Sequence, residues 1–271
     1  MKIEKSLPSL PLAFKYFYTL SLACIYLVFA SLMYVLPVSR KAWRSLTIRS
    51  TSFFTRIMLR MLDVRVQVKN PEQIRLMTPP CFIVSNHVSY LDILILSSLV
   101  PSVFVTSIEM KNTPLLGILS ILGGSVFVER RNPSGIKKEI QSIADLLKNG
   151  FPVALFPEST TSNGDQVMPF KKSLFDAAII AQANVLPVCI RYRSINKSAV
   201  TPDNRDSVFY YGEMTFLRHV PKLLPLQSIE VELMPLPMIQ AAKYDSRKTL
   251  TLAAYHAINT IYHGHSQPNN S

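Results

Sequence analysis

From residue 63 onward, short apolar runs alternate with longer segments of helical period, and few folds accept that pattern. Runs of a few apolar residues bounded by turn formers read as strands, and the 3.6-period segments between them as helices. Strands are expected at 64–68, 81–84, 103–105, 125–128, 153–156, 185–190, 208–211 and 229–233. Helices are expected at 114–122, 134–148 and 170–183, with a last one from a Ser246 cap to about Tyr262. Such alternation predicts an α/β fold with a mostly parallel central sheet flanked by helices. Ligands of these sheets bind beyond the carboxyl ends of the strands. His87, Arg130 and Glu158 each follow an expected strand, so all three can converge on one edge.

The first sixty residues have a different texture. No charged residue occurs between 16 and 36, and Pro37 ends the run. As a helix it would span roughly 30 Å, about the thickness of a bilayer core. Tyr16, Phe17, Tyr18 and Tyr34 lie near its ends, where interfacial aromatics belong. The run is long for a signal-peptide core and no small-x-small cleavage site follows, which predicts an uncleaved anchor. Arg40, Lys41, Arg44, Arg49, Arg56 and Arg60 follow it, against Lys2, Lys5 and Lys15 ahead. The positive-inside rule then turns the following domain toward the cytoplasm, at the inner membrane if the cell is bacterial. Residues 47–62 mix basic with large apolar side chains. They read either as an interfacial helix facing headgroups or as an amphipathic helix packed on the domain. The expected organisation is an N-terminal membrane anchor and interfacial helix (1–62), a catalytic domain (63–262) and a disordered tail (263–271). A net charge of +12 with 48% hydrophobic residues favours an anionic membrane surface over nucleic acid, for which no binding signature is present. Cys24, Cys81 and Cys189 are far apart, with no metal or disulfide spacing, and suit a reducing compartment.

Four segments carry polar residues that an apolar core would not need. In Ser85-Asn86-His87-Val88-Ser89-Tyr90-Leu91-Asp92, Ser89 and Asp92 have capping-box spacing, so a helix starts there and Asp92 can turn back onto His87. A histidine held by a carboxylate has a fixed tautomer and a more basic free nitrogen, as a general base needs. A second segment, Gly123 through Arg131, ends in an arginine fork suited to phosphate. A third, Phe156-Pro157-Glu158-Ser159-Thr160-Thr161-Ser162-Asn163-Gly164 with Lys171 and Lys172 behind it, offers hydroxyls and amides to an anion or a sugar-like headgroup. The fourth, Val185-Leu186-Pro187-Val188, is an apolar strand whose proline can shape a pocket wall.

Together these segments resemble, in order, the four motifs of the glycerolipid acyltransferase family, the lysophosphatidic acid acyltransferases in particular. Asn86-His87 to Asp92 matches the family's Asn-His-x-x-x-x-Asp, and Gly124 to Arg130 its Gly-x-x-Phe-x-x-Arg. Phe156 to Thr160 matches Phe-Pro-Glu-Gly-Thr, and Val185 to Val188 the fourth motif. The resemblance implies transfer of a fatty acyl group from acyl-CoA or acyl carrier protein to a lysophospholipid hydroxyl, first of all that of 1-acyl-sn-glycerol-3-phosphate, with no cofactor. It implies catalytic roles for His87 and Asp92. Substrate-binding roles fall to Asn86, Ser89, Arg130, Glu158, Ser159, Thr160, Lys171 and Pro187. The chain departs from the pattern at Ser159, where the family has glycine. At Thr161 it often has arginine, and at Thr106-Ser107 Ala-Lys. With fewer cations on the acceptor side, a lyso-ornithine lipid is the alternative acceptor. A serine hydrolase is disfavoured because Gly123-Gly124-Ser125-Val126-Phe127 lacks the closing glycine of a nucleophile elbow. A non-catalytic membrane-binding protein of the same fold is the other alternative, against which the His87–Asp92 pair argues. No His, Cys or Asp spacing implies a metal, and His263 and His265 read as inert.

Overall fold

A computed structural model describes residues 11–129 and 135–264, apart from the side chain of Tyr34. Arg130 and Arg131, and the tail beyond residue 264, lie outside the described residues. The sheet is built from β1 (Val64–Val68), β2 (Cys81–Ser85), β3 (Val103–Ser107), β4 (Val126–Val128), β5 (Val153–Leu155), β6 (Asn184–Ile195), β7 (Ser198–Ala199), β8 (Ile229–Pro235) and β9 (Ile239–Gln240). Its main path runs β1-β8-β6-β2-β5-β3-β4. From β6 to β4 the neighbours are parallel, while β8 meets β6 antiparallel and carries β1 parallel to itself. β2, β5, β3 and β4 are therefore consecutive and end on one edge, which gathers three of the four motifs there. Both sheet faces are covered, so strands such as β2 are buried at every residue instead of alternating.

The long helices are α1 (Leu12–Val35), α2 (Arg40–Met61), α4 (Leu91–Leu99), α7 (Ile136–Lys148) and α10 (Arg247–Gly264). Shorter ones are α3 (Pro71–Arg75), α5 (Ile108–Lys111), α6 (Leu116–Leu122), α8 (Asp176–Ala181) and α9 (Phe216–Leu223). α2 is capped by Ser39, whose Oγ accepts from Ala42 N–H, and so starts about two turns before the expected residue 47. It packs on the domain: Leu59 and Leu62 are buried with the strand residues of β1 and β8, and the Arg56 guanidinium donates to the carbonyl of Ser98 in α4. Each such apolar side chain contributes about 1.5–3 kcal/mol on burial. α1 is long and apolar enough to cross a membrane, and part of it packs on α2 and α6. Lys15, one of the three lysines counted ahead of the apolar run, is a helical residue only 5% exposed, ion-paired to Asp63 at 2.8 Å. Further along, Tyr26 and Ala30 pack against Phe54 and Leu122.

Two expectations fail. Residues 208–211 form no strand: Val208 and Phe209 bury their side chains, so the apolar pattern reflects packing, and the backbone turns on the Arg205 carbonyl, which accepts from Val208 and Phe209 N–H, before Tyr210 N–H donates to the Val88 carbonyl. Residues 170–183 are not one helix. Lys171 N–H turns back to the Pro157 carbonyl, a 3-10 turn follows at Ser173–Phe175, and only α8 is α-helical.

Candidate active site

β2 delivers the chain to the reactive loop, and the ladder is finished by a side chain. Where β2 stops at Ser85, the carboxamide of Asn86 takes over: Nδ2 donates to the Ile190 carbonyl and Oδ1 accepts from Ile190 N–H, both at 2.8 Å. Asn86 thus extends the pairing with β6 by one residue and points His87 outward. Asn86 and Ser89 are both fully buried with their polar atoms committed to protein, Ser89 Oγ donating to the Val208 carbonyl at 2.7 Å. The geometry gives both of them loop-building work.

Asp92, in the first turn of α4, is 0% exposed, a position a carboxylate tolerates only when its oxygens are saturated. They are. Oδ2 accepts from Val88 N–H at 2.8 Å, from Ser89 N–H at 2.9 Å and from His87 Nδ1 at 2.8 Å. Oδ1 accepts from the hydroxyl of Tyr192 at 2.7 Å. The Ser89–Asp92 half of the expected capping box therefore forms. Burial and the adjoining carboxylate hold the Tyr192 phenol well above its ordinary pKa of 10, so Tyr192 is a permanent donor. An acceptor-only carboxylate requires the proton on His87 Nδ1. That leaves a lone pair on Nε2, which has no hydrogen-bond partner among the described residues. The ring lies flat on Phe156, centroids 3.9 Å apart and planes 14° off parallel, so its orientation is fixed from the side as well.

Glu158 follows β5 and is buried against the reactive loop. Oε1 accepts from His87 N–H at 2.8 Å and Oε2 from Met168 N–H at 2.9 Å. Burial, reinforced by nearby Asp92, pushes its carboxyl up to about 8, against the pull of those two amides. Ser162 N–H donates to the His87 carbonyl, so the third motif grips the backbone of His87 on both sides. Ser159 has φ +70°, the left-handed region that glycine occupies without cost, which accounts physically for a glycine preference at this position. Ser159, Thr160 and Lys171 are exposed. Pro187 is buried inside β6 opposite Val84, where the antiparallel partner changes from β9 to β8, so it is a wall of the core. Cys81 and Cys189 are buried and pushed up to about 12, so neither supplies a thiolate. Among the described residues, no group of three His, Cys, Asp or Glu is gathered as metal ligands would be. Sequence reasoning missed Tyr192 and the base-supporting place of Glu158, because no local spacing connects residues 100 and 71 positions apart.

A buried, fully bonded carboxylate orienting a half-open imidazole is equipment for removing a proton from a hydroxyl. The chain is similar to known proteins. The acyltransferase family model matches residues 65–191. A lyso-ornithine lipid O-acyltransferase of Brucella abortus is 32% identical over 191 residues, 68% of this chain and 70% of its own length. A 1-acyl-sn-glycerol-3-phosphate acyltransferase of Neisseria meningitidis is 40% identical over 110 residues, 41% of this chain and 43% of its own length. The crystal structure of the 1-acyl-sn-glycerophosphate (LPA) acyltransferase PlsC from Thermotoga maritima shares the fold, with a TM-score of 0.62, 18% identity, and coverage of 95% of this chain and all of that one. With its four motifs on one sheet and the Brucella relative matched over more than two thirds of its length, the chain belongs to the acyltransferase family.

Proposed function

We propose that the protein transfers a fatty acyl group from a thioester donor, acyl-CoA or acyl carrier protein, to the free hydroxyl of a lysolipid. The observation that carries this is the free Nε2 of His87, backed by a saturated Asp92. His87 Nε2 takes the proton of the acceptor hydroxyl as its oxygen attacks the thioester carbonyl. The electron pair moves onto that carbonyl oxygen, then returns as the thiolate leaves, and the proton on Nε2 goes to the thiolate. Asp92 stays ionised and stabilises the imidazolium. A thioester is already activated, so no protein nucleophile enters. General-base assistance contributes about 10²- to 10⁴-fold, and holding the two substrates together supplies much of the rest.

1-Acyl-sn-glycerol-3-phosphate is the acceptor proposed first. β4, which leads to Arg130, stands three strand spacings from β2, about 14 Å. A glycerol phosphate bound at His87 extends part of the way across such a gap. Lyso-ornithine lipid is the second reading, favoured by the longer match to the Brucella protein and by neutral side chains at Ser107 and Thr161. We further propose that the exposed apolar face of α1 (Phe17, Leu20, Ile25, Val28, Leu32), with Phe53 of α2 and Ile118 of α6, sits in lipid on the cytoplasmic side. The deciding experiment incubates purified full-length protein with a panel of lysolipids and both donor types, read by mass spectrometry. Acylation of 1-acyl-sn-glycerol-3-phosphate is expected. No acylation of any lysolipid overturns the enzymatic reading, and acylation of lyso-ornithine lipid alone moves the acceptor.

A further inference from the structure

The reactive loop is held on two flanks, and only one carries a family motif. On the motif flank stand Glu158 and Ser162. On the other flank stand residues 208–211, the segment that failed to be a strand. This segment touches the loop twice: Tyr210 N–H donates to the Val88 carbonyl at 2.9 Å, and Ser89 Oγ donates to the Val208 carbonyl. The Val208 and Phe209 N–H groups of this strap turn onto the Arg205 carbonyl, but it has no sheet partner, and something must tie it to the end of the loop.

That something is His219, on α9. It is 2% exposed, yet both ring nitrogens are engaged. Nε2 lies 2.9 Å from the Phe209 carbonyl, which can only accept, so Nε2 carries the proton. Nδ1 is then an acceptor, and the hydroxyl of Tyr90, 2.9 Å away, donates to it. Burial lowers the basicity of His219, in keeping with a neutral ring in this role. Tyr90 is the last residue of the reactive loop. The bonds therefore close a circuit: Tyr90 to His219, His219 to the strap at Phe209, Tyr210 back to the loop at Val88. The Tyr90 ring also meets Phe216 and Tyr210 edge-on at 5.1 and 5.5 Å, so the circuit is packed as well as bonded.

We propose that His219 is a positioning residue for the acyl transfer, locking the backbone of the reactive loop through Tyr90 and the strap so that His87 and Asp92 stay in register. Val88 N–H and Ser89 N–H are two of the four donors to Asp92, and both belong to the segment that the strap holds. Releasing the strap loosens those donors and, with them, the carboxylate that orients His87. This rests on the acyltransferase reading for its kinetic consequence but not for its structural one, and the two are tested separately.

The kinetic arm compares His219→Phe, Tyr90→Phe and the double variant of the full-length protein, with 1-acyl-sn-glycerol-3-phosphate and acyl-CoA, or lyso-ornithine lipid if only that is acylated. A loosened general base lowers kcat by about tenfold with both KM values unchanged, since misplacement by an ångström already costs up to about 10². Tyr90→Phe, which removes one hydroxyl and keeps the ring, guards against a misfolded His219→Phe. The double variant is expected to be no worse than either single one, because the circuit opens once. His219→Gln, which keeps an N–H for the Phe209 carbonyl, restores part of kcat. The structural arm is amide hydrogen exchange. Residues 86–91 and 208–211 exchange at least about tenfold faster in His219→Phe while β4 and α7 do not. Wild-type kcat in folded His219→Phe, strictly multiplicative losses, or unchanged exchange in both segments each overturn the proposal. If the wild-type protein acylates no lysolipid, the acyltransferase reading falls and the exchange arm alone decides this one.

Discussion

The corner around His87 and the rim formed by residues 159–171 meet at adjacent residues, Glu158 and Ser159, yet they are built on opposite terms. In the corner the side chains of Asn86, Ser89, Asp92 and Glu158 are all bonded to protein and at most 3% exposed, which leaves His87 Nε2 as the open position. On the rim Ser159, Thr160 and Lys171 are exposed, and the hydroxyls of Ser159 and Thr160 reach only neighbouring carbonyls at 3.4 Å. The chemistry is thus fixed by a saturated, dry network, where one missing partner strands a buried charge. On the function proposed above, acceptor choice is left to solvated groups, whose contributions are individually small. Substitutions in the corner should accordingly cost orders of magnitude, and substitutions on the rim small factors.

The largest break is at His87. His87→Ala is expected to reduce turnover by about 10²- to 10⁴-fold, the usual span of general-base effects, with a melting midpoint close to wild type. Retention of more than about a tenth of wild-type turnover in the folded variant removes His87 from the mechanism. Asp92→Asn should be milder if Asp92 only orients, but the amide turns an N–H toward one of the four donors, so an activity loss and a lower midpoint come together.

Next in size is Glu158, which separates positioning from binding. Its carboxyl is pushed from 4.5 up to about 8 by burial. A carboxyl whose pKa is higher folded than unfolded stabilises the fold fully below the unfolded value, and that contribution is lost as pH rises through the folded one. The midpoint of the wild-type protein, measured against Glu158→Gln, should therefore fall as pH rises from 4.5 to about 8, by several degrees at roughly 1 kcal/mol per 2–4 °C. A pH-independent difference between the two shows that Glu158 is ionised throughout. A variant that changes the acceptor KM alone returns Glu158 to the rim.

How much of this is readable from sequence follows the same division. The strands around the site and the His87–Asp92 pair are legible because each depends on residues within a few positions of one another: an apolar run, a turn, a carboxylate one helical turn on. Tyr192 is illegible because its tie to Asp92 exists only once β6 lies beside β2. Val208 to Tyr211 misleads for a related reason. Burial without a ladder leaves the same apolar signature as a strand, and only the neighbours decide. Lys15 reads as one more basic residue ahead of the anchor, and nothing local marks Asp63 as its partner. Arg130, the cation on which the phosphate reading leans, lies outside the described residues, so the rim must be tested by substitution.

The smallest expected effect bears most directly on the acceptor. Thr161 is partly exposed, and its side chain stands where the family often carries arginine. Thr161→Arg adds one solvated cation beside the reactive loop, whose neighbour Ser162 already holds the His87 carbonyl. An exposed ion pair is worth about 0.2–1 kcal/mol, or roughly 1.4- to 5-fold in a binding constant. Facing a phosphomonoester, the new charge should lower the acceptor KM by that factor and leave the donor KM alone. Facing the ammonium of a lyso-ornithine lipid, it should raise the KM by a similar factor. Either change must shrink as ionic strength rises from about 0.01 M toward 1 M, because the screening length falls from about 30 to 3 Å over that range. A salt-insensitive change would mean that the substitution had altered the loop, with Gly164 locked against Phe209 close behind it, and that the new guanidinium had not met the headgroup. No change with either acceptor would place the headgroup away from this part of the rim, on the side of β3 and β4.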